Sequence, residues 1–250
     1  MKAMVLAAGL GTRLRPLTED RPKALVTVAG KTLLEITLLR LRSFGVDEAI
    51  VNVHHFADMI CEYLDENGNF GMRIEISHEH ELLDTGGGLK NAAWFLLENG
   101  ADANEPFILH NVDVLSTIDL ALMVQQHVEQ GSLATLAVQQ RETSRYLLFD
   151  ENGHLCGRRK GRDGCDELAR PAADPRALAF CGIHVISPRL LTEMRGEGAF
   201  SIIDAYLNLA AREEKIATFR ADEYYWRDLG RPESIAEAEQ DLNGGAYPET

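Results

Sequence analysis

The chain has 250 residues, 45% hydrophobic and 26% charged, with a formal net charge of −14. That length and apolar content suit one large domain, or one domain with an embedded lobe, and exclude a disordered chain. The acidic balance argues against a general nucleic-acid binder, which needs a basic face, but not against a small anionic ligand met by a local cationic cluster.

Met4-Val5-Leu6 is a short apolar run that reads as a first strand. It opens into Leu6-Ala7-Ala8-Gly9-Leu10-Gly11-Thr12-Arg13, where small residues let the backbone approach something flat or anionic. Gly9 and Gly11 permit φ > 0 and clear the approach path. Backbone N–H groups in such a loop form a concave anion site. Thr12, Arg13, Arg15 and Lys23 add side-chain donors, and the Arg13 fork matches two phosphate oxygens. Two commoner phosphate loops are excluded. The dinucleotide fingerprint needs a third glycine where Leu14 stands, and Gly30-Lys31-Thr32 lacks the earlier P-loop glycine, Leu25 standing there. The glycines alone also suit an ordinary strand–turn. With the cations, the stretch reads as a nucleoside triphosphate loop at the C-terminal end of a strand.

Residues 32–44 carry apolar positions at helical spacing, and Gly45 is a stop signal. A buried strand is expected over 49–53, a helix over 56–64 closed by Asn67-Gly68, and a strand over 72–77. This alternation predicts an α/β, Rossmann-like sheet, mixed but mostly parallel, with helices on both faces. His78-Glu79-His80-Glu81 is dense in metal-ligand types but lacks the His-Glu-x-x-His spacing, so zinc is not expected. Gly86-Gly87-Gly88 precedes the amphipathic run Leu89, Ala92, Ala93, Leu96, Leu97. It reads either as a tight turn or as a bare backbone loop at a helix N-terminus, against which a flat base can lie.

A strand over 105–109 delivers His110-Asn111-Val112-Asp113-Val114. A carboxylate there is either a cap or a Mg²⁺ ligand at the ligand-binding end of the sheet. A helix is expected over 119–130, capped near Thr117 or Asp119, then a strand over 133–139 and a hairpin over 146–157. Residues 158–175, polar and rich in charge, read as a mobile loop. The strand over 177–186 contains Phe180-Cys181-Gly182-Ile183, where Gly182 suits a bulge. Helices are expected from Ser187-Pro188 and over 200–212, and a strand over 216–220. Tyr225-Trp226-Arg227-Asp228-Leu229-Gly230-Arg231-Pro232 reads as a strand-to-helix turn with proline at the first helical position. A closing helix over 233–242 and a loose tail over 243–250 complete the chain.

Cys61, Cys156, Cys165 and Cys181 form no Cys-x-x-Cys pair, so neither a zinc knuckle nor a redox motif is indicated. There is no signal-peptide pattern and no apolar run of about 18 residues. A cytoplasmic protein with reduced thiols and no membrane partner is expected.

The pattern Ala8-Gly9-Leu10-Gly11-Thr12-Arg13-Leu14-Arg15-Pro16-Leu17-Thr18, then Arg21-Pro22-Lys23-Ala24-Leu25, resembles the signature of the sugar-1-phosphate nucleotidylyltransferases (NDP-sugar pyrophosphorylases). The likeness runs over most of the chain, and the compact length is similar to the N-acetylmuramate-1-phosphate uridylyltransferase type. It implies a GT-A-like domain over 1–242, with nucleotide bound mainly by 1–139, sugar mainly by a small lobe over 140–230, and Mg²⁺ as cofactor. By this resemblance Leu6, Ala7, Ala8, Gly9, Gly11, Thr12 and Arg13 hold the nucleotide, and Gly86 and Gly87 its base. Asp113 and Asp228 bind the metal, Arg13 and Lys23 neutralise phosphates, and Lys23, Asn111 and Gly182 face the sugar phosphate.

Some positions depart from the family pattern. Val112 replaces its usual glycine and Arg231 its usual threonine. A Glu-Lys-Pro lysine is absent, leaving Arg158, Arg159 or Lys160 as substitutes, or as a solvated charge run. UTP is the first expectation for the nucleotide. Mannose- or heptose-1-phosphate guanylyltransfer and phosphocholine cytidylyltransfer are the alternative reactions. A non-catalytic nucleotide-binding subunit is the alternative from another class.

Overall fold

The computed structural model describes residues 1–98 and 105–244. In chain order these form β1 (Lys2–Leu6), β2 (Thr27–Val28), β3 (Lys31–Thr32), α1 (Leu33–Ser43), β4 (Glu48–Val53), α2 (Ala57–Glu66), β5 (Arg73–His78), α3 (Asp84–Asn91), α4 (Ala93–Leu96), β6 (Phe107–Asn111) and β7 (Val114–Ser116). There follow α5 (Leu120–Gln130), β8 (Ala134–Gln139), β9 (Arg145–Phe149), β10 (Leu155–Lys160), β11 (Asp166–Leu168), β12 (Arg176–Ile186), α6 (Arg189–Glu193), α7 (Ile202–Ala210), β13 (Ile216–Arg220), β14 (Trp226–Asp228) and α8 (Pro232–Asn243). Of the expected C-terminal tail, residues 245–250 lie outside the described residues.

The helix ends follow local chemistry. Thr32 caps α1, its hydroxyl accepting the Glu35 N–H at 3.0 Å, and Asp119 caps α5 through the Leu122 N–H at 2.9 Å. Gly131, at φ 59°, closes α5 in the left-handed region.

The main sheet runs β11-β10-β9-β12-β6-β1-β4-β5, with β8 paired to β12 and β13 to β8. β6, β1, β4 and β5 are mutually parallel. β12 runs antiparallel to β6 and leads into the antiparallel β9–β10–β11 half. Both faces of the parallel block are covered, so alternate residues of β1 enter different cores. Val5 packs with Leu34, Leu38 and Ile60, and Met4 packs with Leu89, Phe95 and Tyr206. An uninterrupted apolar Met4-Val5-Leu6 is the signature of such a doubly covered strand.

Two local expectations need correction. The polar stretch read as a mobile loop over 158–175 instead extends β10 to Lys160 and supplies β11. Its charges are spent on pairing: Arg158 binds Glu167 and Asp204, each at 2.6 Å, and Arg159 binds Asp166 at 2.5 Å. The three glycines read as a bare loop lie inside α3 and are buried. A Cβ on Gly86 would sit 2.5 Å from the Phe200 ring, and one on Gly87 2.3 Å from the Gly198 carbonyl. Gly86 and Gly87 are there because the 198–200 segment fills the space of their side chains.

Two histidines are enclosed where β6 meets β12. His184 Nδ1 lies 2.8 Å from the Tyr206 hydroxyl, and His110 Nδ1 lies 2.8 Å from the Asn111 carbonyl. Burial pushes His184 down to about 3 and His110 down to about 4. Folding therefore selects neutral rings. The unfolded chain takes up their protons below the ordinary value of 6.5, so their stabilisation is complete above that pH and declines as pH falls toward 4. The slope is up to about 1.4 kcal/mol per pH unit per ring. His184→Gln removes one of these slopes. The melting-temperature gap between wild type and variant should narrow from pH 7 to pH 4.5; a gap independent of pH would contradict this account.

Candidate active site

β1 and β6 lie side by side, with Leu6 opposite Asn111, so both strands end at one edge of the sheet. Past β1 the chain turns sharply. Gly11 adopts φ 62° and its carbonyl accepts the Leu14 N–H at 2.8 Å and the Thr18 hydroxyl at 2.9 Å. A side chain there would meet Thr18 and Lys23, so Gly11 is required by both φ and space. Gly9 is different from expectation: its φ is not in the left-handed region and a Cβ would meet nothing. Ala7 and Ala8 are buried, and Thr12 and Arg13 are exposed. The Ala7 N–H is already donated to Asn52 Oδ1 at 2.7 Å. It is therefore not free for a phosphate, and the loop's anion-binding capacity rests on the residues after it.

The second segment follows β6. The Val112 N–H donates to the Leu6 carbonyl at 3.2 Å, continuing the pairing past the strand end. Val112 is buried and has no left-handed φ, so a branched residue is accommodated where the resemblance has glycine. Asp113 comes next and its carboxylate pairs with the Lys23 ammonium. Both side chains are nearly enclosed, 14% and 12% exposed respectively, so the pair is screened far less than a surface bridge.

The third segment is β14. It pairs antiparallel with β7, setting Asp228 opposite Val114, and the Leu229 N–H donates to the Asp113 carbonyl at 2.8 Å. Asp113 and Asp228 are thus brought side by side. The Gly230 N–H donates to Asp228 Oδ1 at 2.7 Å. A Cβ on Gly230 would lie 2.5 Å from that oxygen and 2.8 Å from Arg13 Nη2. The glycine leaves room for carboxylate and guanidinium together. Arg13, Lys23, Asp113 and Asp228 therefore converge from three segments.

Arg13 and Asp228 face a cleft of about 1310 Å³, which Asn111, Gly182, Trp226 and Thr85 also line. Gly182 sits at φ 75°, within the register shift between Phe180 and His184, so the bulge is real. A Cβ there would lie 2.8 Å from Asn111 Nδ2. Gly86 and Gly87 act one step back from the cleft. Their N–H groups both donate to the Phe200 carbonyl, at 2.9 and 3.2 Å, and are not available to read a base edge. By admitting that segment they fix the start of α3, where Asp84 and Thr85 line the cleft.

Sequence reasoning missed Arg141. Its guanidinium lies 3.7 Å over the Trp226 ring and donates to the Phe180 carbonyl at 2.8 Å. Among the described residues it has no ion pair, and burial pushes its pKa down from the ordinary arginine range. Gln139-Gln140-Arg141-Glu142 has no pattern that marks it; only the packing on Trp226 does. Of the candidate substitutes for the absent lysine, Arg158 and Arg159 are instead engaged with acidic partners, whereas Lys160 lines the cleft. No group of three or more potential metal ligands occurs among the described residues, and within His78-Glu79-His80-Glu81 the Glu79 carboxylate accepts from Asn52 and from the Leu83 N–H.

The Lys23–Asp113 pair is testable by itself. Lys23→Met leaves an enclosed carboxylate unpartnered and should lower unfolding stability by roughly 1–3 kcal/mol. Adding Asp113→Asn should recover part of the loss. Strictly additive effects in urea titrations would show that the two groups are not coupled.

The profile of the nucleotidyl transferase family matches residues 2–244. The chain is 34% identical over 249 residues to the N-acetylmuramate alpha-1-phosphate uridylyltransferase of Caulobacter vibrioides, covering 96% of each chain. It is 30% identical over 239 residues to mannose-1-phosphate guanyltransferase beta-B of Xenopus laevis, covering 94% of this chain and 62% of that one. Among solved structures, HddC from Yersinia pseudotuberculosis complexed with GMP-PN shares the fold, with a TM-score of 0.73 at 23% identity over 96% of this chain and 99% of that one. The chain belongs to the nucleotidyl transferase family of enzymes.

Proposed function

We propose that this enzyme transfers a nucleoside monophosphate, UMP in the first instance, from a nucleoside triphosphate to a sugar 1-phosphate and releases pyrophosphate. The observation that carries the reading is the convergence of Arg13, Lys23, Asp113 and Asp228 at the C-terminal ends of β1 and β6. UTP is favoured over GTP because the relative matched along its whole length is a uridylyltransferase. The guanylyltransferase relative keeps GTP as the second reading.

A phosphate oxygen of the sugar phosphate attacks the α-phosphorus, the bond to the β-phosphate breaks, and pyrophosphate leaves. The nucleophile is ionised at neutral pH, so no general base is required. The obstacle is bringing two polyanions together, and the protein's work is positioning and charge neutralisation. Arg13 neutralises the β- and γ-phosphates that depart. Lys23 is the cation for the α- or sugar phosphate. Arg141, which has no ion pair among the described residues, adds a second cation on the sugar side of the cleft. Residues 1–139 hold the nucleotide, with its base toward Asp84 and Thr85, and residues 140–230 hold the sugar against Asn111 and Gly182.

The donor set fits Mg²⁺: two carboxylates, Asp113 in the turn between β6 and β7 and Asp228 at the end of β14, oriented by the Gly230 N–H, match a hard cation that prefers one or two carboxylates plus substrate phosphate oxygens. Bound by Asp113 and Asp228, it supplies charge neutralisation to the phosphates. Among the described residues no helix is long and apolar enough to cross a membrane. We place the reaction in the cytoplasm, where nucleoside triphosphates are abundant.

Pyrophosphate release from four nucleotides against a panel of sugar 1-phosphates tests the reading. Release should require both substrates and Mg²⁺ and be greatest with UTP. Arg13→Ala and Asp228→Asn should each lower kcat on the order of 10²–10³-fold with little change in melting temperature. Near-normal turnover in both variants, or no release with any pair, would refute it.

A further inference from the structure

Within His78-Glu79-His80-Glu81, Glu79 is 5% exposed and has no cationic partner among the described residues. A carboxylate so enclosed must be satisfied by hydrogen bonds. Its Oε1 accepts from Asn52 Nδ2 at 2.7 Å and its Oε2 accepts the Leu83 N–H at 2.9 Å. Asn52, 3% exposed, turns its other end to the first loop, Oδ1 accepting the Ala7 N–H. A Cβ on Gly88 would lie 2.6 Å from Glu79 Oε1, so the helix needs glycine there to admit the carboxylate. The Glu79 backbone is fixed as well: its N–H donates to the Val53 carbonyl and its carbonyl meets His54 Nδ1, both at 2.8 Å.

We propose that Asn52 and Glu79 are positioning residues for the nucleoside triphosphate, a buried relay that sets the spacing between the loop at Ala7 and the start of α3 at Leu83. This rests on the reading above, in which the triphosphate lies along the loop and the base lies toward Asp84 and Thr85.

The direction of the hydrogen bonds dictates the residue types. Ala7 and Leu83 both present N–H donors, so the ends of the relay must both accept. Asn52 accepts at one end and donates at the other, as an amide does. Glu79 must accept twice, as only an ionised carboxylate does. Glu79→Gln sets a donor against Asn52 Nδ2 or against the Leu83 N–H. Asn52→Asp sets two carboxylates face to face. The double variant Asn52→Asp/Glu79→Gln restores every pairing at unchanged net charge. The carboxylate now at position 52 accepts from Ala7 and from the amide now at position 79, whose oxygen accepts from Leu83.

Calorimetric titration of UTP in the presence of Mg²⁺, with KM for UTP and for the sugar phosphate, tests the proposal on wild type, both single variants and the double. Each single variant should weaken UTP about 10-fold or more and leave the KM for sugar phosphate unchanged. The double should return to within about threefold of wild type, a strongly non-additive outcome. Should a single variant fail to fold, the double decides: folded with near wild-type UTP affinity it supports the relay, and weak binding or failure to fold overturns it. Single variants that bind UTP as wild type does, or that shift both KM values equally, also overturn it. Wild type that binds UTP but forms no pyrophosphate would defeat the transferase reading while the titrations still decide the relay.

Discussion

The pairing of β14 with β7 is the contact on which the site depends. Each strand has only three residues, yet their register places Asp228 beside Asp113 and carries Gly230 to Arg13. So short a ribbon is marginal by itself. It is held from outside: Thr117 and Tyr225 exchange hydrogen bonds, both at 3.0 Å, through the Thr117 N–H and hydroxyl. Arg227 reaches Asp241 at 2.7 Å and the Tyr225 hydroxyl at 3.0 Å, fastening the ribbon to α8. Trp226 donates from its indole to the Cys181 carbonyl at 2.7 Å, fastening it to β12. A site assembled from distant segments is thereby made as rigid as the sheet under it.

The charge around the cleft differs from that of the chain as a whole. The chain is strongly acidic overall, but Arg13 and Arg141 line one cleft and neither has an ion pair among the described residues, while Lys23 pairs with Asp113. Of these only Arg141 is enclosed without a counter-ion, and burying an unpaired cation is costly.

Much of this was legible in the chain. Apolar runs and capping residues located the parallel half, and the loop after β1 fell where its glycines and cations indicated. The misreadings have a common physical origin, which is packing between distant segments. Gly86 and Gly87 looked permissive, as glycines in a turn do, but their lack of side chains is used by Phe200 and Gly198, far along the chain. Residues 158–168 looked like a solvated charge run until Arg158 and Arg159 met their partners across strands. Arg141 carries no local signal at all, since its setting is made by Trp226. Val112 stands where the family pattern has glycine, yet its backbone is not in the left-handed region and its side chain fills a core.

The central claim is that Asp113 and Asp228 would together hold one metal ion, which would neutralise the substrates' phosphates. A crystal grown with Mn²⁺ and a non-hydrolysable UTP analogue, measured for anomalous scattering, tests it most directly. The account predicts one strong Mn²⁺ peak within coordinating distance of both Asp113 and Asp228 and of a nucleotide phosphate. Peaks that involve only one of the two carboxylates, or a nucleotide bound away from Arg13, would contradict it.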